Sequence, residues 1–282
     1  MRNPQRTEKI AFFFLFLATL FIVIPVGLIV VVIIQKGLPA INWQFLTDVP
    51  RQGMRAGGIF PAIVGTVYLV TGAVIFALPV GLFAAIYLSE YSKDNLLTRL
   101  IRLAIVNLAG VPSVVYGLFG LALFVGFFKF GSSILSGSLT LGIMILPIVI
   151  TTSREALESV PYSFREVSLS LGTSKWQTIR HIVLPNAIPG ILTGTILGLG
   201  RAAGETAPIL FTVAAFYLPQ LPKSLFDQAM ALPYHLYVIS TQVPNVDEKI
   251  RYGTAFVLLA LVLFMNLVAI IIRYQFRKRK KW

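Results

Sequence analysis

Residues 10–34 run from Ile10 to Ile34 without one charged side chain, and 59–88, 103–128, 134–152 and 253–272 do the same. One helical crossing of a bilayer core takes about 20 mostly apolar residues. A sixth apolar run, 187–218, is as long but carries Arg201 and Glu205. Hydrocarbon offers backbone N–H and C=O groups no outside partner, so each run must close its own hydrogen bonds, as a helix does. These runs constrain the fold more than anything else in the chain. They predict an all-α integral membrane protein with about six transmembrane helices.

Composition agrees. Charged residues make up 12% of the 282, against about a quarter in a soluble domain. The first run follows a basic start, as in a signal peptide. It is too long for a signal core and no small-x-small site follows, so it reads as a retained anchor. The chain has no cysteine, which removes disulfides and thiolate metal sites.

The net charge of +13 does not point to nucleic acid, because the charge is arranged around the spans. With both termini in the cytoplasm, the inner side holds Arg2, Arg6, Lys9, Lys93, Arg99, Arg102, Arg154, Arg165, Lys175, Arg180 and the basic tail. The outer side holds Lys36, Arg51, Arg55, Lys129, Lys223, Lys249 and Arg251, fewer than half as many. Cytoplasmic connections carry the excess of Lys and Arg in membrane proteins. The tail "RYQFRKRKKW" then reads as a contact with lipid headgroups. Arg51 and Arg55 near the outer face could draw in an anion, although solvated loop charges explain them as well.

Three parts follow: 1–58, an anchor helix and external connection; 59–252, a core with an internal loop at 153–186; and 253–282, a last helix and basic tail. No G-x-x-x-x-G-K-[ST] motif occurs, so energy must come from a partner or an ion gradient. His181 and His235 fall in opposite loops, and the carboxylates in the spans amount to Glu205, with Glu90 at a border. No nucleophile–base set or metal cluster can be built from these. The expectation is a protein that is not an enzyme, with no metal and no cofactor of its own.

The internal loop is patterned. Pro161 suits a helix start, and Phe164, Val167 and Leu171 fall at i, i+3 and i+7 on one stripe. Gly172 is placed for a left-handed C-cap. Ser174 and Gln177 have capping-box spacing and open a second short helix bearing Trp176, Ile179 and Val183, which Pro185 closes. The expected shape is a helix, a glycine turn and a helix, too polar to cross the membrane.

This loop resembles the cytoplasmic EAA loop of ABC importer permeases, E-A-A-x3-G-x9-I-x-L-P. Glu166-Val167-Ser168 occupy the first positions, with Val and Ser for the two alanines, and Gly172, Ile182, Leu184 and Pro185 keep the spacing. The resemblance implies a coupling helix seated in a groove of a separate ATPase. Phe164, Val167 and Leu171 would then form part of the contact, with Gly172 fixing the bend.

The stretch "GRAAGETAPILF" resembles the transmembrane subunits of phosphate-specific ABC importers, in the PstA-type form more than the PstC-type. "AGGIFPAIVGTVYLV", "IYLSEYS", "NLAGVPSVVYGLFGLALF" and "ALPYHLYVIST" carry the likeness across residues 57–245. It implies a type I ABC importer permease fold in a bacterial-type plasma (inner) membrane, paired with a PstC-like permease. It further implies two ATPase subunits using ATP and magnesium, and an extracytoplasmic phosphate-binding protein. A permease for sulfate or molybdate would share the EAA loop but not "GRAAGETAP". The loop also argues against an ion-coupled carrier or a channel.

Arg201 is the residue to explain. Placing an arginine at the centre of a span costs roughly 2.5–3.5 kcal/mol on insertion scales, so its guanidinium must face a partner or water. Arg201 and Glu205, at i and i+4, can pair on a helix. Gly190, Gly194, Gly198 and Gly204 recur at spacings that let another helix approach. A guanidinium also offers a fork that matches phosphate oxygens. Three readings stand: a salt bridge that holds helices, a phosphate path with Glu205 tempering the charge and Thr206 adding a hydroxyl, and a gate against a partner permease.

Overall fold

The computed structural model describes residues 4–278. Arg2 and the tail residues Arg279, Lys280 and Lys281, counted above as inner-side cations, lie outside the described residues. The elements are α1 (Pro4–Gly37), α2 (Trp43–Thr47), a hairpin of β1 (Pro50–Arg51) with β2 (Ala56–Gly57), α3 (Phe60–Ile86), α4 (Leu96–Ala109), α5 (Ser113–Gly120) and α6 (Ile134–Glu158). They continue with α7 (Tyr162–Ser170), α8 (Lys175–Thr178), α9 (Leu184–Gly204), α10 (Ala207–Thr212), α11 (Leu232–Thr241) and α12 (Glu248–Lys278). Wider π-helical turns extend α3 (Tyr87–Tyr91) and α5 (Leu121–Phe127) and join α8 to α9 (Ile179–Val183).

The centre is a group of three helices in which α6 packs against both α3 and α9, and α3 and α9 also touch each other. Small residues set the spacing, because apolar lipid provides no hydrophobic drive and close packing must supply the attraction. Gly72 and Gly81 of α3 lie against Ser138 and Val149 of α6, and Gly142 of α6 lies against Phe76 of α3. Toward the C-terminal end of α6, Gly190 of α9 meets Ala156 and Gly194 meets Thr152. Ala73, Ala77, Met144, Ile145 and Val149 are fully enclosed as a result. α1 leans on α12 and presents its aromatic and aliphatic side chains outward.

Among the described residues, five helices are long and apolar enough to cross a membrane, and a bent pair of helices makes six if the two count together as one span. That pair shows the run 103–128 to be two helices with a break between them, and not one unbroken helix. α4 and α5 meet at 103°. The cause is local: Val111 precedes Pro112, whose ring drives the preceding residue out of the α region, and Gly110 ends α4.

The run 187–218 is corrected too. Its helix begins earlier, at Lys175, continues through Pro185 and ends at Gly204. Pro185 therefore does not close the second loop helix. A proline normally clashes with the carbonyl four residues back. Here the wide turn at 179–183 opens the backbone at that point. The stretch 219–252 is likewise more than an external connection. It folds back as α11, whose first N–H, on Leu232, donates to the Thr66 hydroxyl of α3 at 2.8 Å. His235, read as a loop residue, is buried there at 2% exposure, and its Nδ1 has no hydrogen-bond partner.

Candidate translocation and coupling sites

Arg201 stands in the last turn of α9, and Glu205 is the residue at which the helix stops, with extended backbone (φ −77°, ψ 136°). The sequence expectation of one helix carrying both is corrected. Gly204 weakens the helix and Pro208 cannot continue it, so the chain breaks between α9 and α10. The two side chains still meet across the break, Arg201 Nε to Glu205 Oε1 at 3.6 Å. Thr206, next in the chain, holds the N-cap position of α10 without a side-chain capping hydrogen bond and is half-buried.

The break lies inside the helix layer. Ala202, Ala203 and Glu205 share a small void with Leu141, which stands two turns, or roughly 10 Å, from the Ile134 end of α6. A helix that ends at such depth leaves its last carbonyls without intrahelical partners, so Arg201 sits where backbone polarity is already concentrated. A cation in the last helical turn also complements the negative end of the helix dipole. Tyr116 of α5, whose hydroxyl donates to the Leu108 carbonyl at 2.8 Å, lies within the field of the Arg201 guanidinium.

The void beside Glu205, about 10 Å³, holds a single water at most. Arg201 keeps 30% of its side chain exposed and Glu205 19%. Anything larger than a water can touch Arg201 only through its exposed part, and not through this void.

The glycine stripe is real over three of its four positions. Gly190, Gly194 and Gly198 face Ala156, Thr152 and Ile145 of α6, whereas a side chain at Gly204 would meet nothing within 4 Å. Gly204 belongs to the helix end and not to the packing seam. Arg51 and Arg55 are engaged at the hairpin. Arg51 pairs with Asp48 at 2.9 Å and Arg55 Nε donates to the Pro244 carbonyl at 3.1 Å. The Val49 N–H, with Arg51 nearby, holds the Asp48 carboxyl below its usual range.

The internal loop forms its hook as the residues predict on one arm. Gly172 has φ +80°, in the left-handed region, and the Ser174/Gln177 capping box makes both its hydrogen bonds. The expected stripe divides. Phe164 packs on a buried cluster with Ala85, Leu157, Val160, Ile179 and Val183, while Val167 and Leu171 point out at 63% and 79% exposure. Glu166 is exposed on the same short helix, and Pro185 is exposed on the helix that follows. Ile182 and Leu184 are half-buried there.

Two features of this loop were not legible beforehand. Ser168, in the place of the second alanine, is buried and hydrogen-bonds Thr173 at 2.8 Å and Thr178 at 2.9 Å, tying the arms of the hook together. Arg165, counted above as a loop cation, is buried against Glu90 with Nη2 to Oε1 at 2.6 Å. Serine and threonine near a turn give some warning of the first. Nothing in the local sequence marks the second, which joins residues 75 positions apart.

Comparison with known proteins places this geometry. The profile of the family described as "Binding-protein-dependent transport system inner membrane component" matches residues 77–282. The probable ABC transporter permease protein YqgI of Bacillus subtilis is 34% identical over 95% of this chain and 95% of its own length. The phosphate transport system permease protein PstA 1 of Mycobacterium tuberculosis is 33% identical over 97% of this chain and 90% of its own. The phosphate transport system permease protein PstA of Xylella fastidiosa is 34% identical over 84% and 82%.

Among solved structures, the inward-facing methionine ABC transporter MetNI aligns over 76% of this chain and 94% of that one. The TM-score is 0.62 at 14% identity, which speaks for the fold alone. The chain belongs to the binding-protein-dependent transport system inner membrane components and has the type I ABC importer permease fold.

Proposed function

We propose that this chain is a permease subunit of an ATP-driven importer that carries inorganic phosphate into the cell. The observation that carries the reading is the partly exposed Arg201 at the break between α9 and α10, tempered by Glu205 across the end of the helix. A fixed cation inside the helix layer replaces part of the hydration an anion loses on entry, and its neighbouring carboxylate keeps the attraction weak enough for release. Relatives named as phosphate transport permeases support phosphate as that anion.

The open side of Arg201 calls for a second permease to complete the path, and a PstC-like subunit fits that place. Two copies of an ATPase that binds ATP and magnesium would dock on the hook, where Val167 and Leu171 present apolar surface beside Glu166. An extracytoplasmic phosphate-binding protein would deliver the substrate. With both termini in the cytoplasm, the outward faces of α1 and α12 would contact lipid.

The test is uptake of labelled phosphate by proteoliposomes holding the complete importer and internal ATP, with excess sulfate or molybdate as competitor. ATP-dependent uptake that resists both competitors supports the reading. Displacement by either would assign the path to another oxyanion, and uptake without any ATPase subunit would make this a carrier or channel.

A further inference from the structure

A largely enclosed ion pair links the hook to the end of α3. Arg165 of α7 is 11% exposed and Glu90, in the π-helical turn that ends α3, is 7% exposed. The guanidinium uses all three of its nitrogens. Nη2 and Nε donate to the Glu90 carboxylate at 2.6 and 3.2 Å, Nη1 donates to the Val160 carbonyl at 2.7 Å, and Nη2 also donates to the Leu157 carbonyl at 2.9 Å. Leu157 lies in the last turn of α6 and Val160 just beyond it. One side chain therefore fastens α7 to the ends of both α3 and α6.

Stability alone does not account for such a pair. Removing two charges from water costs about as much as their attraction returns, and well-packed apolar residues would do as well or better. What the pair supplies is fixed geometry, since a planar fork held at five oxygen contacts leaves α7 little room to turn. The wide turn at 87–91 contributes, because its extra residue sets the direction in which Glu90 leaves α3. The chain itself connects the hook to α6 through residues 159–161 and to α9 through α8, so without the pair a push on the hook would reach those two helices alone. With it, α3 is attached as well, and the end of α6 is held to α7 by side-chain contacts in addition to the chain.

We infer that Arg165 and Glu90 are positioning residues that clamp the coupling helix α7 to α3 and to the end of α6, so that ATPase movement reaches the group α3, α6 and α9 as one body. The inference rests on the docking role proposed for the hook, and it adds which helices receive the motion. Neither residue need touch substrate or ATP. Glu90 and Arg165 also form one wall of a cavity of about 490 Å³ with Glu158, Tyr162 and Lys175, so loss of the pair would leave a charge beside water and would not collapse the fold.

The experiment uses the complete importer in proteoliposomes and compares wild type with Glu90→Gln. Three quantities are read: ATPase subunits retained per permease, phosphate moved per ATP hydrolysed, and the distance between spin labels at Ser170→Cys and Tyr87→Cys. The chain's lack of cysteine makes the labels unique. The inference predicts normal retention of the ATPase, a fall of about tenfold in phosphate per ATP, and a label distance that stays constant with and without trapped nucleotide in wild type only.

A merely structural pair would lower the yield of complex and leave the ratio unchanged. An unchanged ratio in Glu90→Gln, or a label distance that shifts with nucleotide in wild type, overturns the inference. Should Glu90→Gln fail to accumulate, Arg165→Lys provides the same reading, because it keeps the charge and loses the carbonyl contacts. Absence of phosphate uptake in wild type would count against phosphate as substrate, and the label distances would still judge the clamp.

Discussion

Thr152 of α6 fills the notch left by Gly194 of α9, so closely that a methyl at position 194 would overlap its hydroxyl. That hydroxyl is turned back onto the Ile148 carbonyl at 2.7 Å, which keeps its polarity satisfied inside the seam. The contact fixes how near α9, with Arg201 seven residues further along, can come to α6. Helix spacing at this notch therefore sets where the guanidinium sits.

The seam predicts an asymmetry between two glycines. Gly194→Val should force α6 and α9 apart and destabilise the purified protein by about 1–3 kcal/mol, the usual cost of overpacking. Gly204→Ala, with open space around it, should leave the melting temperature unchanged. Equal melting temperatures for Gly194→Val and wild type would remove the notch from the argument.

Gly172 offers a cleaner backbone test, because a side chain there meets nothing within 4 Å and only the left-handed φ opposes it. Gly172→Val should cost on the order of 1–2 kcal/mol and loosen the hook, so that ATP hydrolysis no longer responds to loaded binding protein. Gly172→Asn, which tolerates that conformation, should retain the response. Loss in both variants would mean that the glycine matters for some reason other than its dihedral angle.

Ser168→Ala restores the residue usual at this point of the loop while removing a buried hydroxyl from the Ser168–Thr173–Thr178 set. The expected loss is about 1 kcal/mol. Amide exchange across residues 162–178 should speed up, while exchange in α6 should stay as it is. Unaltered exchange in the hook would show that Thr173 and Thr178 hold the two arms unaided.

Sidedness follows from labelling a chain without cysteine. Ser174→Cys, exposed in the hook, should resist an impermeant thiol reagent in intact cells, and Gln220→Cys, exposed after α10, should react. The reverse pattern would place the hook outside and end its proposed docking role.

How much of this was readable depends on the range of the interaction. The apolar runs announced spans because lipid imposes one solution on them, and the left-handed Gly172 and the Ser174 cap were legible because caps act within four residues. The passage of one helix through Pro185 was hidden, since a wide turn can cancel a proline and no residue pattern marks such a turn. The bend at Gly110–Pro112 and the break at Glu205 had their signals in Gly and Pro. Both were outweighed by the apolar length around them. Glu90 and Arg165 were visible only as an acid at a border and a base in a loop, because their pairing depends on packing between distant segments.

The central claim is that Arg201 supplies the fixed positive charge on the path of the anion. Arg201→Gln keeps a polar side chain and removes the cost of burying a cation, so the complex should assemble and hydrolyse ATP at normal levels. Reversing the pair, Arg201→Glu with Glu205→Arg, preserves a salt bridge and moves the positive charge past the end of the helix. The most direct measurement is ATP-driven uptake of labelled phosphate by assembled complexes of both variants, normalised to the amount of complex. The account predicts a loss of at least about tenfold in each, the scale of one charge-assisted contact. Near-normal uptake in the reversed pair would contradict it and reduce Arg201 and Glu205 to a bridge between helix ends.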